Sequence, residues 1–142
     1  MAVTALATVY QAIETAIEAA PKLATVVDDL TGHGSATLLH NGASVQRIDT
    51  RRVGGRHQSY AVVEDRIRVR LTYQVKTKNQ RSARDSASVV ADNITDRITD
   101  TSNAVLAPVY VRFDSETETR QGEWFVIDLV FKTRREKSVG AG

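Results

Sequence analysis

Residues 67–100 change their hydrophobic period once, and that change limits what the chain can fold into. From 67 to 75 the odd positions are Ile67, Val69, Leu71, Tyr73 and Val75, and the even ones include Arg68, Arg70, Thr72 and Gln74. A period of two in β-branched and aromatic residues is the pattern of a half-buried strand. A polar crossing over 76–84 follows, with cations at Lys76, Lys78, Arg81 and Arg84. Beyond it, Ala83, Ala87, Val90, Ile94 and Ile98 recur at spacings of three and four, which places them on one stripe of an α-helix. Ser82 with Asp85 three residues later predicts a capping box, in which the hydroxyl and the carboxylate each take a free amide at the helix start.

Two further apolar segments predict strands that pair beside the first. In 105–113 one face carries Val105, Ala107, Val109, Val111 and Phe113, and in 124–131 Phe125, Ile127, Leu129 and Phe131 do the same. The charged stretch between them, 114–122, predicts a hairpin connector with a projecting tip. The last strand is also apolar on its other side, at Trp124, Val126 and Val130. A strand apolar on both faces needs cover on both. That second face is therefore a candidate subunit interface, unless a helix over 23–30 covers it.

Ahead of this core, Val3, Leu6, Tyr10, Ile13 and Ile17 form the apolar stripe of an N-terminal helix that Pro21 ends. Its polar side holds Gln11, Glu14 and Glu18 and lacks the cations of a membrane-surface helix, so the stripe is expected to pack on the sheet. Residues 23–30 read equally as a short helix or a strand. Residues 31–35 read as a turn and 36–40 as a short strand. Asn41-Gly42 is a turn of the kind that favours positive φ.

Residues 44–59 show no sustained period and hold Arg47, Arg51, Arg52 and Arg56 with the Gly54-Gly55 pair. They predict a long basic loop or arm, either solvated or reaching a partner. Tyr60 to Val63 begins a strand that leads, past Glu64-Asp65, into the central one. Residues 134–142 predict a polar, frayed tail. The sum is one α+β domain over 1–142: a mainly antiparallel β-sheet packed with an N-terminal and a central helix, ending in a β-hairpin.

Charge is placed unevenly along the 142 residues. Against an overall +2, residues 1–44 carry −3, residues 45–85 carry +7 and residues 86–142 carry −2. The basic middle, with Arg66, Arg68 and Arg70 on its central strand, could meet phosphate. It could equally meet acids on another copy, and Asp92, Asp96 and Asp100 form a suitable row at i, i+4 spacing. No aromatic platform interleaves the cations, which weighs against a nucleic-acid groove.

Nothing in the sequence assembles a reaction centre. There is no cysteine, so a thiolate nucleophile, a thiolate metal site and a disulfide framework are excluded. His33, His40 and His57 lack metal-site spacing. The acid pairs Asp28-Asp29, Glu64-Asp65 and Glu116 with Glu118 read as solvated charges. Phosphate-loop, dinucleotide and nucleophile-elbow motifs are absent. Glu14 and Glu18, without a Lys or Arg among the first twenty residues, argue against a signal peptide, and no run approaches a membrane span. A protein without cofactor or metal, made in the cytosol, is expected.

In the order of its elements the chain resembles the tail terminator or tail completion proteins of long-tailed bacteriophages. The stretch Arg-Ile-Arg-Val-Arg-Leu-Thr-Tyr-Gln-Val, followed by Ala-Ser-Val-Val-Ala-Asp-Asn-Ile-Thr-Asp-Arg-Ile, carries the likeness best. The resemblance implies a virion protein without catalytic residues, assembled in the host cytoplasm as a ring, usually of six copies. Such a ring caps the head-proximal end of the tail tube, ends tube growth and faces the head–tail connector, with DNA passing through its lumen. Head–tail joining proteins share size and symmetry and are the near alternative, and a small nucleic-acid-binding module is the distant one. For a ring, the candidate contact residues are Arg47, Arg51, Arg52, Arg56, Arg66, Arg68 and Arg70 against Asp92, Asp96 and Asp100, with Trp124, Val126 and Val130 for apolar burial.

Overall fold

A computed structural model describes residues 4–27, 38–54, 60–76, 78–100 and 110–139. In order, the elements are α1 (Leu6–Glu18), β1 (Thr25–Val26), β2 (Gly42–Gly54), β3 (Tyr60–Gln74), α2 (Gln80–Thr99), β4 (Tyr110–Gln121) and β5 (Trp124–Ser138). The strands form one sheet in the order β1-β2-β3-β5-β4, antiparallel throughout except for the two-residue β1, which lies parallel to β2. The α+β class expected from the period change is the one observed.

Alternation in β3 decides the layers. Ile67, Val69 and Leu71 pair with Phe131, Leu129 and Ile127 of β5, and partners directly opposite share a face. That face meets both helices. Val9, Ile13 and Ile17 of α1 and Ala87, Ala91, Ile94 and Ile98 of α2 close the core over it. Alanines at two of these α2 positions, Ala87 and Ala91, let the helix lie close to the strands, while most of the large side chains opposite them come from the sheet. The even residues of β3 and β5 face away from the helices.

Arg97 joins the two helices. Its Nη1 donates to the carbonyls of Ala16 at 3.2 Å, Ala19 at 2.9 Å and Pro21 at 2.8 Å, at and just past the end of α1. The last carbonyls of a helix have no partner within it, and a cation there also meets the negative end of the helix dipole. Arg97→Met is expected to cost about 2 kcal/mol, in the range of hydrogen bonds from a charged group. Urea unfolding followed by circular dichroism measures this, and a loss under about 0.5 kcal/mol would show that water replaces the guanidinium without penalty.

Several expectations need correction. Residues 44–54 are strand β2 and not a loop, paired with β3 from Gly42↔Thr72 to Gly54↔Val62, with register shifts between Arg47 and Asp49 and between Arg52 and Gly54. Backbone pairing holds this segment, and its outer half is exposed on both faces, so no apolar period marks it. The connector expected over 114–122 is also mostly strand: β4 runs to Gln121 and reverses at Gly122, whose φ of +58° suits glycine. The tail expected from Arg134 is the end of β5, paired with β3 as far as Tyr60↔Ser138. Helix α2 starts at Gln80, before the proposed cap. Asn79 is the N-cap residue, no side chain caps the helix, and the Ser82–Asp85 box does not form.

The Leu23 segment resolves as the short strand β1 as far as it is described. Leu38 and Leu39 are not strand. Asn41 takes the expected positive φ, 53°, and its Nδ2 donates to the Leu23 carbonyl at 2.9 Å. Gly42 is needed where it stands, since a Cβ there would lie 2.9 Å from that of Leu39. The turn read at 31–35, the acids Asp28 and Asp29, His33, Arg56, His57 and the apolar run 105–109 lie outside the described residues.

Candidate subunit interface

The sheet face turned away from the helices is polar and laced across its strands. Arg66 of β3 grips Asp49 of β2 with Nε at 3.0 Å and Nη2 at 2.6 Å. Arg70 of β3 grips Asp128 of β5 with Nε at 2.8 Å and Nη2 at 3.0 Å. Arg68 donates to Gln46 Oε1 at 2.7 Å. The two-pronged guanidinium–carboxylate geometry is the strong form of such contacts. The hydrogen bonds from Arg66, and then its charge, hold the Asp49 carboxyl below its ordinary range against the opposing effect of burial. Three cations expected to reach a partner are thus engaged within the chain.

Glu64 belongs to the same face and is buried, contrary to the solvated loop acid expected of it. Its carboxylate accepts from Arg51 Nη2 at 3.1 Å and from Arg134 Nε at 3.4 Å. Burial pushes this carboxyl up, but the hydrogen bonds from Arg51 and Arg134 and the charges of Arg51 and Lys132 outweigh it and hold the group below its ordinary value. A lowered carboxyl stabilises the fold above its unfolded value, near 4.5, and that stability is lost as pH falls through the folded value. Acid unfolding of the wild type should therefore steepen below about pH 4.5. Glu64→Gln should flatten that limb in urea titrations taken at stepped pH, and an unchanged limb would assign it to other carboxylates.

Of the residues expected on the apolar second face, Val126 is buried within the chain, between Thr72 and Thr119 on the ladder, while Trp124 and Val130 are half-buried. Asp92 and Asp96 are exposed on α2, and Asp100 stands at its C-cap.

The two edges of the sheet are the surfaces sequence reasoning missed. At one edge β1 covers only Gly42 and Ala43 of β2, and the Tyr10 hydroxyl accepts from the Arg47 amide at 3.1 Å. Among the described residues no strand pairs with the rest of that edge. The other edge is the outer side of β4, also without a described partner. Of the seven large apolar side chains exposed among the described residues, four lie on these two strands: Ile48 and Val53 on β2, Tyr110 and Phe113 on β4.

Their charges differ in sign. Strand β2 carries Arg47, Arg51 and Arg52 against Asp49, whereas 114–119 of β4 hold Asp114, Glu116 and Glu118 with no cation. Glu116 is pushed above its ordinary value by partial burial, then by the charges of Asp92 on α2 and Glu118 beside it. Asp114 is paired with Lys132 of β5 at 3.4 Å, whereas the acids that act on Glu116 are Asp92 and Glu118.

No family model and no curated protein matches the chain. A solved structure does. A chain in the virion of native gene transfer agent (GTA) particle superposes with a TM-score of 0.56, at 17% identity, over 87% of this chain and 91% of that one. At that identity the likeness is one of fold, and it spans nearly the whole of both chains.

His40 Nδ1 accepts the Gln74 amide at 3.1 Å and its ring stands edge-on to Tyr73. No group of three His, Asp or Glu side chains converges as metal ligands would, and no helix is long and apolar enough to cross a membrane, both among the described residues.

Proposed function

We propose that this chain is a structural component of a phage-like virion, and within it a ring-forming tail terminator. The observation that carries the reading is the end-to-end likeness of fold to a chain from a gene transfer agent virion. Two sheet edges that are unpaired among the described residues, one with arginines and the other with acids at 114–118, support it. A closed ring needs one patch of each copy to meet a different patch of the next, and this sheet places such patches at its opposite ends. In the proposed role six copies cap the head-proximal end of the tail tube, stop its growth and present a surface to the connector, while DNA passes through the lumen without sequence readout. The chain performs no chemistry in this role.

Light scattering of the purified protein, alone and with isolated tail tubes, tests the reading, with imaging of tube ends. A ring, or a monomer that assembles only on tubes, is expected. A monomer indifferent to tubes would overturn it. A second reading is a head–tail joining protein elsewhere in the neck, which the same likeness to a virion chain supports equally. Binding to isolated heads in place of tails separates the two. A nucleic-acid module is less favoured, because Arg51, Arg66 and Arg70 already hold carboxylates of the chain. It would show as DNA retention falling steeply with salt.

A further inference from the structure

We infer that the ring closes edge to edge, with β2 of one copy lying along β4 of the next and Arg47 and Arg52 meeting Glu116 and Glu118. The inference rests on the ring reading above and names its contact surface.

Register places these four side chains together on one face. Arg47 and Arg52 pair with Ile67 and Val63 of β3, and Glu116 and Glu118 pair with Leu129 and Ile127 of β5. Opposite residues share a face, so all four stand on the helix side of the sheet. Direction matches as well. β2 is antiparallel to β3, β3 to β5 and β5 to β4, so β4 runs antiparallel to β2 within one chain. Copies related by rotation about an axis along the strands keep both strand direction and face. β4 of one copy then meets β2 of the next antiparallel, with cations and acids on the same side.

Stagger follows from β1. It occupies the β2 edge at Gly42 and Ala43, and the Tyr10 hydroxyl takes the Arg47 amide, so the backbone of an incoming strand can pair only further along, toward Gly54. In the unshifted register Glu116 is level with Val45, and Arg47 is level with Phe113, through Leu129–Val69 and Phe131–Ile67. Sliding the neighbour's β4 toward Gly54 raises Glu116 and Glu118 to the level of Arg47 and beyond, toward Arg52. The same contact covers Ile48 and Val53 from one side and Tyr110 and Phe113 from the other.

Inward-pointing charges on an edge strand are also a device against unwanted pairing. Here they reject one partner and accept another. Two β4 edges would bring acid against acid, which disfavours a twofold dimer, whereas β4 against β2 brings opposite signs together. Discrimination of that kind needs the repulsive element as much as the attractive one, and it selects head-to-tail closure. The Glu116 carboxyl, raised by partial burial and then by the charges of Asp92 and Glu118, agrees with acids gathered at this edge.

Two variants test this on the full chain: Glu116→Lys with Glu118→Lys, and Arg47→Glu with Arg52→Glu. Each is expected to fold, as judged by circular dichroism, and to lose the assembled mass in light scattering. An equimolar mixture should regain it, because the altered edge of each variant then matches the altered edge of the other, the two unaltered edges match as before, and rings alternate. Variants that assemble like the wild type, or a mixture that stays monomeric, overturn the inference. The native chain has no cysteine, so Arg52→Cys combined with Glu116→Cys gives an independent reading. Mild oxidation should produce a ladder of covalent multimers on a non-reducing gel, and the absence of a ladder from assembled protein counts against the contact. Wild type that stays monomeric with and without tubes sinks the ring reading and this inference together. Assembled wild type with assembled variants sinks the inference alone.

Discussion

Replacing Arg135 by methionine is expected to destabilise the fold by about 3–5 kcal/mol, the range for breaking a buried ion pair by removing one partner. Asp65 is fully buried, and Arg135 Nε donates to its Oδ2 at 2.6 Å while Nη2 reaches Oδ1 at 3.4 Å. The Thr50 hydroxyl donates to the same carboxylate. Methionine keeps much of the packing of the arginine stem but leaves the carboxylate without its counter-charge. The third guanidinium contact, from Nη1 to the Thr4 carbonyl at 3.1 Å, goes with it. Thr4 also donates its amide to Glu136 at 3.0 Å, so the pair helps fasten the segment ahead of α1 to β5.

A second substitution separates charge from packing. Asp65→Leu added to Arg135→Met should recover most of the loss, because an apolar pair of similar volume carries no desolvation cost. Urea midpoints for the single and double variants read this out. A single variant within about 1 kcal/mol of wild type would mean that water reaches the carboxylate and that the pair is not sealed.

Asp65 and Arg135 also show where the sequence stops being legible. Strand β3 could be read because one of its faces is buried, so its side chains alternate. Helix α2 could be read for the same reason, through Ala83, Ala87, Ile94 and Ile98. Strand β2 beyond Arg47, β4 after Phe113 and β5 after Arg134 could not. Their outward residues are Arg, Asp, Ser, Thr and Glu, and what holds them is backbone pairing, which needs no apolar side chain. Hydrophobic period reports burial of a face and not pairing, so a strand exposed on both faces reads as a loop. Burial of a charge is equally invisible, since it depends on which distant residue arrives opposite. Nothing local marks Asp65 as enclosed or Asp92 as lying beside Glu116.

The candidate interface residues follow the same divide. Arg66 and Arg70 stood out because they alternate with the core, yet that alternation is why they lie beside strand neighbours and find Asp49 and Asp128 there. Read as a connector, 114–122 leaves Glu116 and Glu118 as solvated charges. Once the connector is an edge strand, they share a face with Arg47 and Arg52 and become the candidates with the most to contribute between copies.

Phe131→Ala is expected to cost about 3–5 kcal/mol, the usual loss when a buried phenylalanine is truncated. Phe131 is 0% exposed at the centre of β5, paired with Ile67 on one side and Phe113 on the other. Its ring meets that of Phe113 edge to face, with centroids 6.0 Å apart and planes at 70°. Truncation therefore opens a cavity between sheet and helices and also removes the aromatic partner of the edge strand. Phe113 is 41% exposed on the same rung, and Phe113→Ala should cost only about 1 kcal/mol, roughly the worth of one aromatic pair. The two variants should part in assembly. In an edge-to-edge ring Phe113 is covered by the neighbouring copy, so its truncation weakens the ring while leaving the monomer folded. Phe131→Ala should lower the thermal midpoint before any effect on the ring can be separated from it. Thermal unfolding together with light scattering of both variants distinguishes the cases. If Phe113→Ala left assembly at the wild-type level, the exposed ring would be an ordinary surface aromatic that the contact between copies does not use.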